Sequence, residues 1–106
     1  MINEAYHTYY TYILTNRRKT VLYTGVTNNL CHRLQHHRES CERNEKNFTA
    51  RYKCIYLVHY EKFSWIQLAI AREKEIKGWT RQKKIDLITE NNPQWEFLNH
   101  HFSPLH

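Results

Sequence analysis

The sequence contains few residues that interrupt regular secondary structure, with only two glycines and two prolines among 106 residues. This scarcity excludes collagen-like and low-complexity proteins, and 41% hydrophobic with 25% charged residues is typical of a globular chain. No apolar run approaches the ~20 residues of a membrane-spanning helix, and residues 1–5 lack the pattern of a signal peptide. We therefore expect one globular domain over residues 1–106, with no membrane partner.

Cysteine is also scarce, and Cys31, Cys41 and Cys54 form no CxxC pair. Three thiols cannot all be paired within one chain, which favours a reducing compartment and predicts a cytoplasmic location. We expect Cys54 to be a buried, unreactive thiol. His32 and His36 have an i, i+4 spacing that can bind zinc, but no HExxH motif accompanies them, so a solvent-facing or phosphate-facing role is favoured.

Acidic residues are outnumbered, with 10 Asp and Glu against 16 Lys and Arg and a net charge of +6. A basic chain can simply be more soluble, but eight tyrosines and eight histidines beside this charge favour a phosphate-bearing partner. The side chains that we expect to contact a nucleic-acid backbone are Arg17, Arg18, Lys19, Lys74, Lys77, Arg81 and Lys84. The alternative is that these charges, together with Arg72, only solvate the surface.

The first half of the chain predicts a β-hairpin followed by a helix. Residues 9–14 and 21–24 are β-branched and aromatic runs that predict two strands, and Gly25 is expected to end the second. Helix-capping residues and apolar spacing predict a helix over residues 29–39. Residues 40–47 are polar and are expected to form a loop.

The second half predicts one strand and two helices. Residues 54–60 are nearly all apolar or aromatic, which is typical of a central strand. Ser64 is expected to cap a helix that runs to Trp79, with Gly78 near its end as the C-cap, and a further helix is expected over residues 80–90. The tail is expected to pack through Trp95, Phe97 and Leu98. The order β-β-α-β-α-α predicts a small three-stranded α+β domain.

Three side chains have unusual positions on the predicted helices. Arg33 and His37 are i, i+4 neighbours at the edge of an apolar stripe, where an arginine usually keeps its charged end in water. Glu73 lies within the apolar arc that extends from Leu68 to Ile66 on the helical wheel. A carboxylate beside a core must be paired, hydrogen-bonded or metal-bound. The structural alternative to a metal role is an ion pair of Glu73 with Arg72 or Arg33.

Strand parity decides which tyrosines share a face. Residues 10, 12 and 14 face opposite to residues 9, 11 and 13, so Tyr12 and Tyr9 lie on different faces of the sheet. Tyrosine is common in strands, and these rings could serve packing alone.

Several motifs, taken in their order, resemble the GIY-YIG nuclease domain. They are Tyr10-Thr11-Tyr12, Tyr23-Thr24-Gly25, Asn29-Leu30, Arg33-Leu34 and Glu73-Lys74-Glu75-Ile76-Lys77. Two further stretches, residues 48–52 and 92–95, look like the small stand-alone members of that superfamily. The resemblance implies a three-stranded antiparallel sheet flanked by helices. The chain departs from the first motif at Tyr10, where Gly is usual, and from the second at Thr24, which replaces Ile.

The resemblance also implies roles for individual residues. The catalytic set would be Tyr12, Tyr23, Arg33, His37 and Glu73, with one Mg²⁺ or Mn²⁺ held by Glu73. Arg33 would grip the phosphate, and Tyr12, Tyr23 or His37 would act as the base. Asn91 and Asn92 are alternative matches to a late polar residue of the family.

The function that follows from the resemblance is a metal-dependent endonuclease that hydrolyses phosphodiester bonds in DNA, leaving a 5′-phosphate and a 3′-hydroxyl. DNA is favoured over RNA, and selection of branched, nicked or single-stranded structures stays open. One alternative is a nucleic-acid-binding module of the same fold with little or no catalysis. Another is a protein-interaction adaptor anchored by the three tryptophans, although this would leave the order of the motifs unexplained.

Overall fold

A computed structural model describes residues 7–102 of the chain; residues 1–5, where no signal-peptide pattern was found, lie outside this range. The elements are β1 (Tyr9–Thr15), β2 (Leu22–Thr27), α1 (Leu30–Glu42), α2 (Phe48–Arg51), β3 (Tyr56–Phe63), α3 (Ile66–Lys77), α4 (Arg81–Asn91) and a 3₁₀ helix (Asn99–Phe102). The predicted α+β class and order are confirmed, with the two short helices as additions. No helix within residues 7–102 is long and apolar enough to cross a membrane.

The three strands form an antiparallel sheet in the order β2-β1-β3. The prediction of a central strand at residues 54–60 is therefore wrong, because within residues 7–102 β3 pairs with β1 alone and lies at an edge. Its apolar sequence has another cause. Leu57 and Val58 face opposite sides of the sheet, and each is fully buried in a different core cluster. The strand is apolar because both faces of the sheet are packed against core residues at this point, and not because β3 has a neighbouring strand on each side.

The side chains of β1 alternate between the two faces, as strand parity predicts. Tyr12 and Leu14 pack with Leu30 and Leu34 of α1. Ile13 packs on the opposite face with Ile76 of α3 and Ile88 of α4. The sheet thus separates α1 from α3.

The turn between β1 and β2 is held by one side chain. Asn16 Oδ1 accepts hydrogen bonds from the backbone N–H of Thr20 at 2.8 Å and of Val21 at 3.0 Å. Lys19 adopts a left-handed φ of 62° in this turn. Gly25 does not end β2, which continues to Thr27.

Helix ends agree with the sequence where a side chain caps them. Asn29 caps α1 by accepting from His32 N–H, and Thr80 caps α4 by accepting from Lys83 N–H. Gly78 is the C-cap of α3, as expected. Ser64 is not the N-cap of α3, because the chain enters the helix one residue later, at Trp65, without a side-chain cap.

The predicted loop over residues 40–47 is in part helical. Helix α1 continues to Glu42, and the one-turn helix α2 was not predicted. Asn47 caps α2 by accepting from Ala50 N–H.

The buried face of α3 is rotated away from the predicted stripe. Thr11 Oγ1 donates to Ala69 O at 2.7 Å, and this contact brings the small side chain of Ala69 against the sheet together with Ile76. Leu68 and Trp65 are consequently more than half exposed, against expectation. Trp95, Phe97 and Leu98 pack onto the core as predicted.

Candidate active site

The ring of Tyr12 lies across the backbone of Gly25. These residues are paired in the register of β1 and β2. A Cβ atom at Gly25 would stand 2.6 Å from both Cζ and Oη of Tyr12, closer than such contacts allow. Because Gly25 has no side chain, the phenol of the central strand can extend over the edge strand β2.

The hydroxyl of Tyr12 meets His37 of α1, with 3.1 Å between Oη and Nε2. The exposed fraction is 1% for Tyr12 and 7% for His37. Burial raises the pKa of Tyr12 well above its usual range, and Tyr23 acts in the same direction, whereas the positive charge of Arg33 opposes them. Burial, followed by the charges of Arg33 and His36, lowers the pKa of His37 to about 4. Both rings are therefore neutral near pH 7.

Tyr23 is the more accessible of the two motif tyrosines. It is half-buried, and its ring centroid lies 6.4 Å from that of Tyr12 and 5.8 Å from that of His37. On its other side it stacks on Phe48 of α2 at 5.9 Å. A molecule bound at this site would reach the phenol of Tyr23 before that of Tyr12.

Arg33 lies one turn before His37 on α1, as the i, i+4 spacing predicts. Its Nε is fully buried and has no hydrogen-bond partner within residues 7–102. No carboxylate in the described part of the chain forms an ion pair with it. A buried donor without a partner is costly, so this guanidinium is a site at which an anion would be stabilised.

Glu73 lies in the other layer, on α3. Its side chain is only 14% exposed, and Oε2 lies 2.7 Å from Nζ of Lys77. The expected alternatives, Arg72 and Arg33, are wrong as partners. Arg72 instead donates from Nε to Glu61 at 2.9 Å, and also pairs with Glu75.

The different partner of Arg72 follows from the helix geometry. Adjacent residues on a helix point about 100° apart, so Arg72 turns toward β3 and Glu61 while Glu73 points elsewhere. Arg72 is therefore not part of the unpaired basic surface. Helix α3 packs against β2 as well as β1. Burial is the main cause of the raised pKa of Tyr12, and the charge of Glu73 makes the smallest contribution in the same direction.

No group of three or more His, Cys, Asp or Glu within residues 7–102 could hold a metal ion. The zinc hypothesis for His32 and His36 has no support from such a cluster, and both side chains are exposed. Cys54 is fully buried, and burial raises the pKa of its thiol to about 11. Glu73 offers a single, largely buried carboxylate, paired here with Lys77, and a single carboxylate would fit a hard divalent cation that keeps most of its water ligands.

Two polar residues that the sequence did not single out lie behind His37. Nδ1 of His37 is 3.0 Å from Thr49 Oγ1, and Thr49 donates to Asn47 Oδ1 at 3.1 Å. Thr49 and His37 are both buried. The only available signal was that residues 48–52 look like the small stand-alone proteins, which gave a segment but no role.

An aromatic shelf, which the sequence did not predict, borders the site. It consists of Tyr23, Phe48 and Tyr52, with 4.8 Å between the ring centroids of Phe48 and Tyr52. Phe48 and Tyr52 are each 45% exposed, and the guanidinium of Arg51 lies 5.8 Å from the Tyr52 ring. Exposed aromatic faces beside a cation are suited to stacking with nucleobases.

The basic residues predicted to bind nucleic acid lie in the β1–β2 turn and on α3 and α4. Arg81 Nη2 donates to Thr20 O at 2.7 Å, which brings the start of α4 to the turn that carries Arg17, Arg18 and Lys19. Lys77 contacts Glu73 directly. Lys74 and Lys84 lie on α3 and α4, and within residues 7–102 neither forms an ion pair.

Residues 8–86 match the GIY-YIG catalytic domain, which is most of the chain. This chain belongs to the GIY-YIG family. The GIY-YIG family is a nuclease family that acts on nucleic acid and generally uses a divalent metal.

The relatives are small proteins of similar length. A UPF0213 protein of Syntrophus aciditrophicus is 37% identical over 82 residues, covering 77% of this chain and 91% of its own. A UPF0213 protein of Clostridium perfringens is 36% identical over 83 residues, covering 78% and 85%. The solution NMR structure of a UPF0213 protein of Bacillus halodurans superposes with a TM-score of 0.53 at 27% identity, covering 88% of this chain and 93% of that one. This GIY-YIG chain is thus similar to small proteins whose names state no activity.

Proposed function

We propose that this protein is a metal-dependent endonuclease that hydrolyses phosphodiester bonds in DNA. The observation that carries the proposal is the guanidinium of Arg33, whose buried Nε has no partner and whose charge no carboxylate neutralises within residues 7–102. A phosphate diester supplies the missing charge and the missing acceptor atoms.

Arg33 would hold two non-bridging oxygens of the scissile phosphate through its planar set of donors. Charge builds up on these oxygens in the transition state, so the contact strengthens during the reaction. A preorganised donor of this kind is worth about 3–4 kcal/mol in comparable sites.

Tyr23 is the phenol that would orient the attacking water, because it is half-buried whereas Tyr12 is 1% exposed. Tyr12 and His37 are both neutral and more deeply buried than Tyr23. They would hold Arg33 and Tyr23 in place and would not themselves contact the water. Glu73 would hold the divalent cation, which when bound supplies additional positive charge at the phosphate.

The alternative is a nucleic-acid-binding module with little or no catalysis. The ion pair between Glu73 and Lys77 favours it, because the ammonium group occupies the carboxylate that a metal requires. The basic groups around the β1–β2 turn and on α3 and α4 would serve backbone binding in either case. A cytoplasmic location is supported by the free thiols of Cys31, Cys41 and Cys54.

The test is plasmid nicking by the purified protein with Mg²⁺ or Mn²⁺. The wild-type protein should nick DNA, and Arg33→Ala should lose activity by about 10²–10³-fold. Arg38→Ala is the matched control, since it removes the same charge from an exposed position of α1 and should retain activity. A cleavage panel would then define the substrate preference, with duplex, flap, junction and single-stranded DNA and with RNA.

Binding separates the two hypotheses. The affinity for a labelled oligonucleotide, measured by fluorescence anisotropy, should fall as the salt concentration rises. The slope of log affinity against log salt concentration should be about 0.9 per phosphate contact on duplex DNA. Salt-dependent binding without nicking by the wild-type protein would support the binding module. Absence of binding at low salt would contradict both hypotheses.

A further inference from the structure

The short helix α2 fixes the direction of a hydrogen bond at its own N-terminus. The backbone N–H of Ala50 can only donate, and it donates to Asn47 Oδ1 at 2.9 Å. The amide of Asn47 therefore has one orientation, with its nitrogen donating to Ser40 Oγ at 2.9 Å.

The orientation of Asn47 sets the proton of Thr49. The carbonyl oxygen of an amide has no proton, so at 3.1 Å the hydroxyl of Thr49 must donate to it. A hydroxyl has a single proton, and this contact uses it. Toward Nδ1 of His37, which lies 3.0 Å away, Thr49 Oγ1 can then only accept.

The Tyr12 hydroxyl is the next group in this chain of hydrogen bonds. If Nδ1 of the neutral His37 ring carries the proton, Nε2 is a bare acceptor. The Tyr12 hydroxyl, 3.1 Å from Nε2, must then donate to it. The lone pairs of Tyr12 are left for the guanidinium of Arg33, whose charge already acts on that hydroxyl. With the other tautomer, His37 would donate to Tyr12 and compete with Arg33 for the same oxygen.

We propose that Thr49, oriented by Asn47, is a positioning residue that holds His37 as the Nδ1–H tautomer and thereby turns the acceptor side of the Tyr12 hydroxyl toward Arg33. The part of this inference that concerns catalysis rests on the proposed nuclease function. The tautomer itself does not, because it is a property of the free protein.

The direct test is long-range ¹H–¹⁵N correlation NMR of the histidine side chains near pH 7, with the His37 signals assigned from a His37→Gln variant. The wild-type protein should show His37 protonated at Nδ1 and unprotonated at Nε2. Thr49→Val keeps the shape but removes the hydroxyl, and should shift His37 toward the Nε2–H tautomer. Thr49→Ser restores a hydroxyl and should restore the wild-type pattern.

Cleavage kinetics give the second readout. Thr49→Val should lower kcat about ten-fold or more with KM little changed, as is typical when a group that orients a site residue is removed, and Thr49→Ser should recover most of it. A wild-type His37 protonated at Nε2 would overturn the proposal even if Thr49→Val failed to fold. A Thr49→Val protein with the wild-type tautomer and kcat would also overturn it. If the wild-type protein does not cleave, the nuclease proposal fails while the NMR result still decides the tautomer.

Discussion

Replacing Gly25 with alanine puts a methyl group where the ring of Tyr12 lies. The new Cβ would be 2.6 Å from Cζ and Oη of Tyr12 and 3.0 Å from Cε1. The ring cannot move aside freely, because it is 1% exposed and its hydroxyl is bound to His37. The φ of Gly25 is not positive, so the effect would come from crowding and not from backbone strain.

The cost has two parts. Crowding a well-packed core destabilises the folded state by about 1–3 kcal/mol. If the Tyr12 ring shifts to relieve the clash, the acceptor nitrogen of His37 is left buried and unpaired, at about 1–3 kcal/mol. We expect a loss of about 2–6 kcal/mol in the free energy of unfolding, or roughly 10–30 °C in Tm for a domain of this size.

Gly78→Ala is the matched control, since the added Cβ would meet only Glu75 O at 3.5 Å and Lys74 O at 3.7 Å. Gly78 is exposed with a helical φ of −82°, so alanine should be neutral or stabilising by about 0.4–1 kcal/mol. Chemical denaturation and nicking assays on both variants provide the comparison. Equal stability of the two proteins, or full cleavage by Gly25→Ala, would refute the role assigned to the Tyr12–Gly25 contact.

Three other changes have distinct expected outcomes. Glu73→Gln should fold and should bind nucleic acid without metal as well as the wild type or better, but its cleavage in Mg²⁺ should fall by orders of magnitude; wild-type cleavage would contradict the metal role. The pKa of His37 falls from 6.5 to about 4 on folding, so between these two pH values the folded state binds fewer protons than the unfolded state. Up to about 3 kcal/mol of stability should therefore be lost as the pH falls from 6.5 to 4, and His37→Gln should reduce this pH dependence of the free energy of unfolding in denaturation curves. Phe48→Ala should weaken oligonucleotide binding by about 1–3 kcal/mol in anisotropy titrations, whereas Trp65→Ala, which removes an exposed ring outside the shelf, should not.

The features that the sequence predicted well depend on a few neighbouring residues. Asn29 and Thr80 cap helices through bonds to residues three positions later, and the faces of β1 follow from alternation alone. The errors arise where a distant contact decides. The place of β3 at an edge depends on pairing with β1, and the exposure of Leu68 depends on the bond between Thr11 and Ala69, which are 58 positions apart.

In the candidate site, too, the residues that lie close in sequence were predicted and those brought together by distant contacts were not. Arg33 and His37 were predicted as neighbours because both lie on one helix. Thr49 and Asn47 were not predicted, because a buried threonine has no local pattern that names a histidine 12 positions earlier as its partner. The predicted ion-pair partner of Glu73 was also wrong, since the choice among nearby cations depends on side-chain directions across α3 and β3.

The order of residues in Tyr23-Thr24-Gly25 has a physical explanation in the sheet. Tyr23 faces the layer of α1, where its ring contacts Tyr12 and His37. Thr24, the next residue, points to the opposite face and is buried. Gly25 faces α1 again and contributes no side chain, so the Tyr12 phenol can extend over β2 toward the sheet edge. His37 on α1 contacts this hydroxyl directly, on the opposite side of the sheet from α3. A side chain at position 25 would push the phenol away from His37, which makes Gly25 as much a part of the candidate site as the residues with reactive groups.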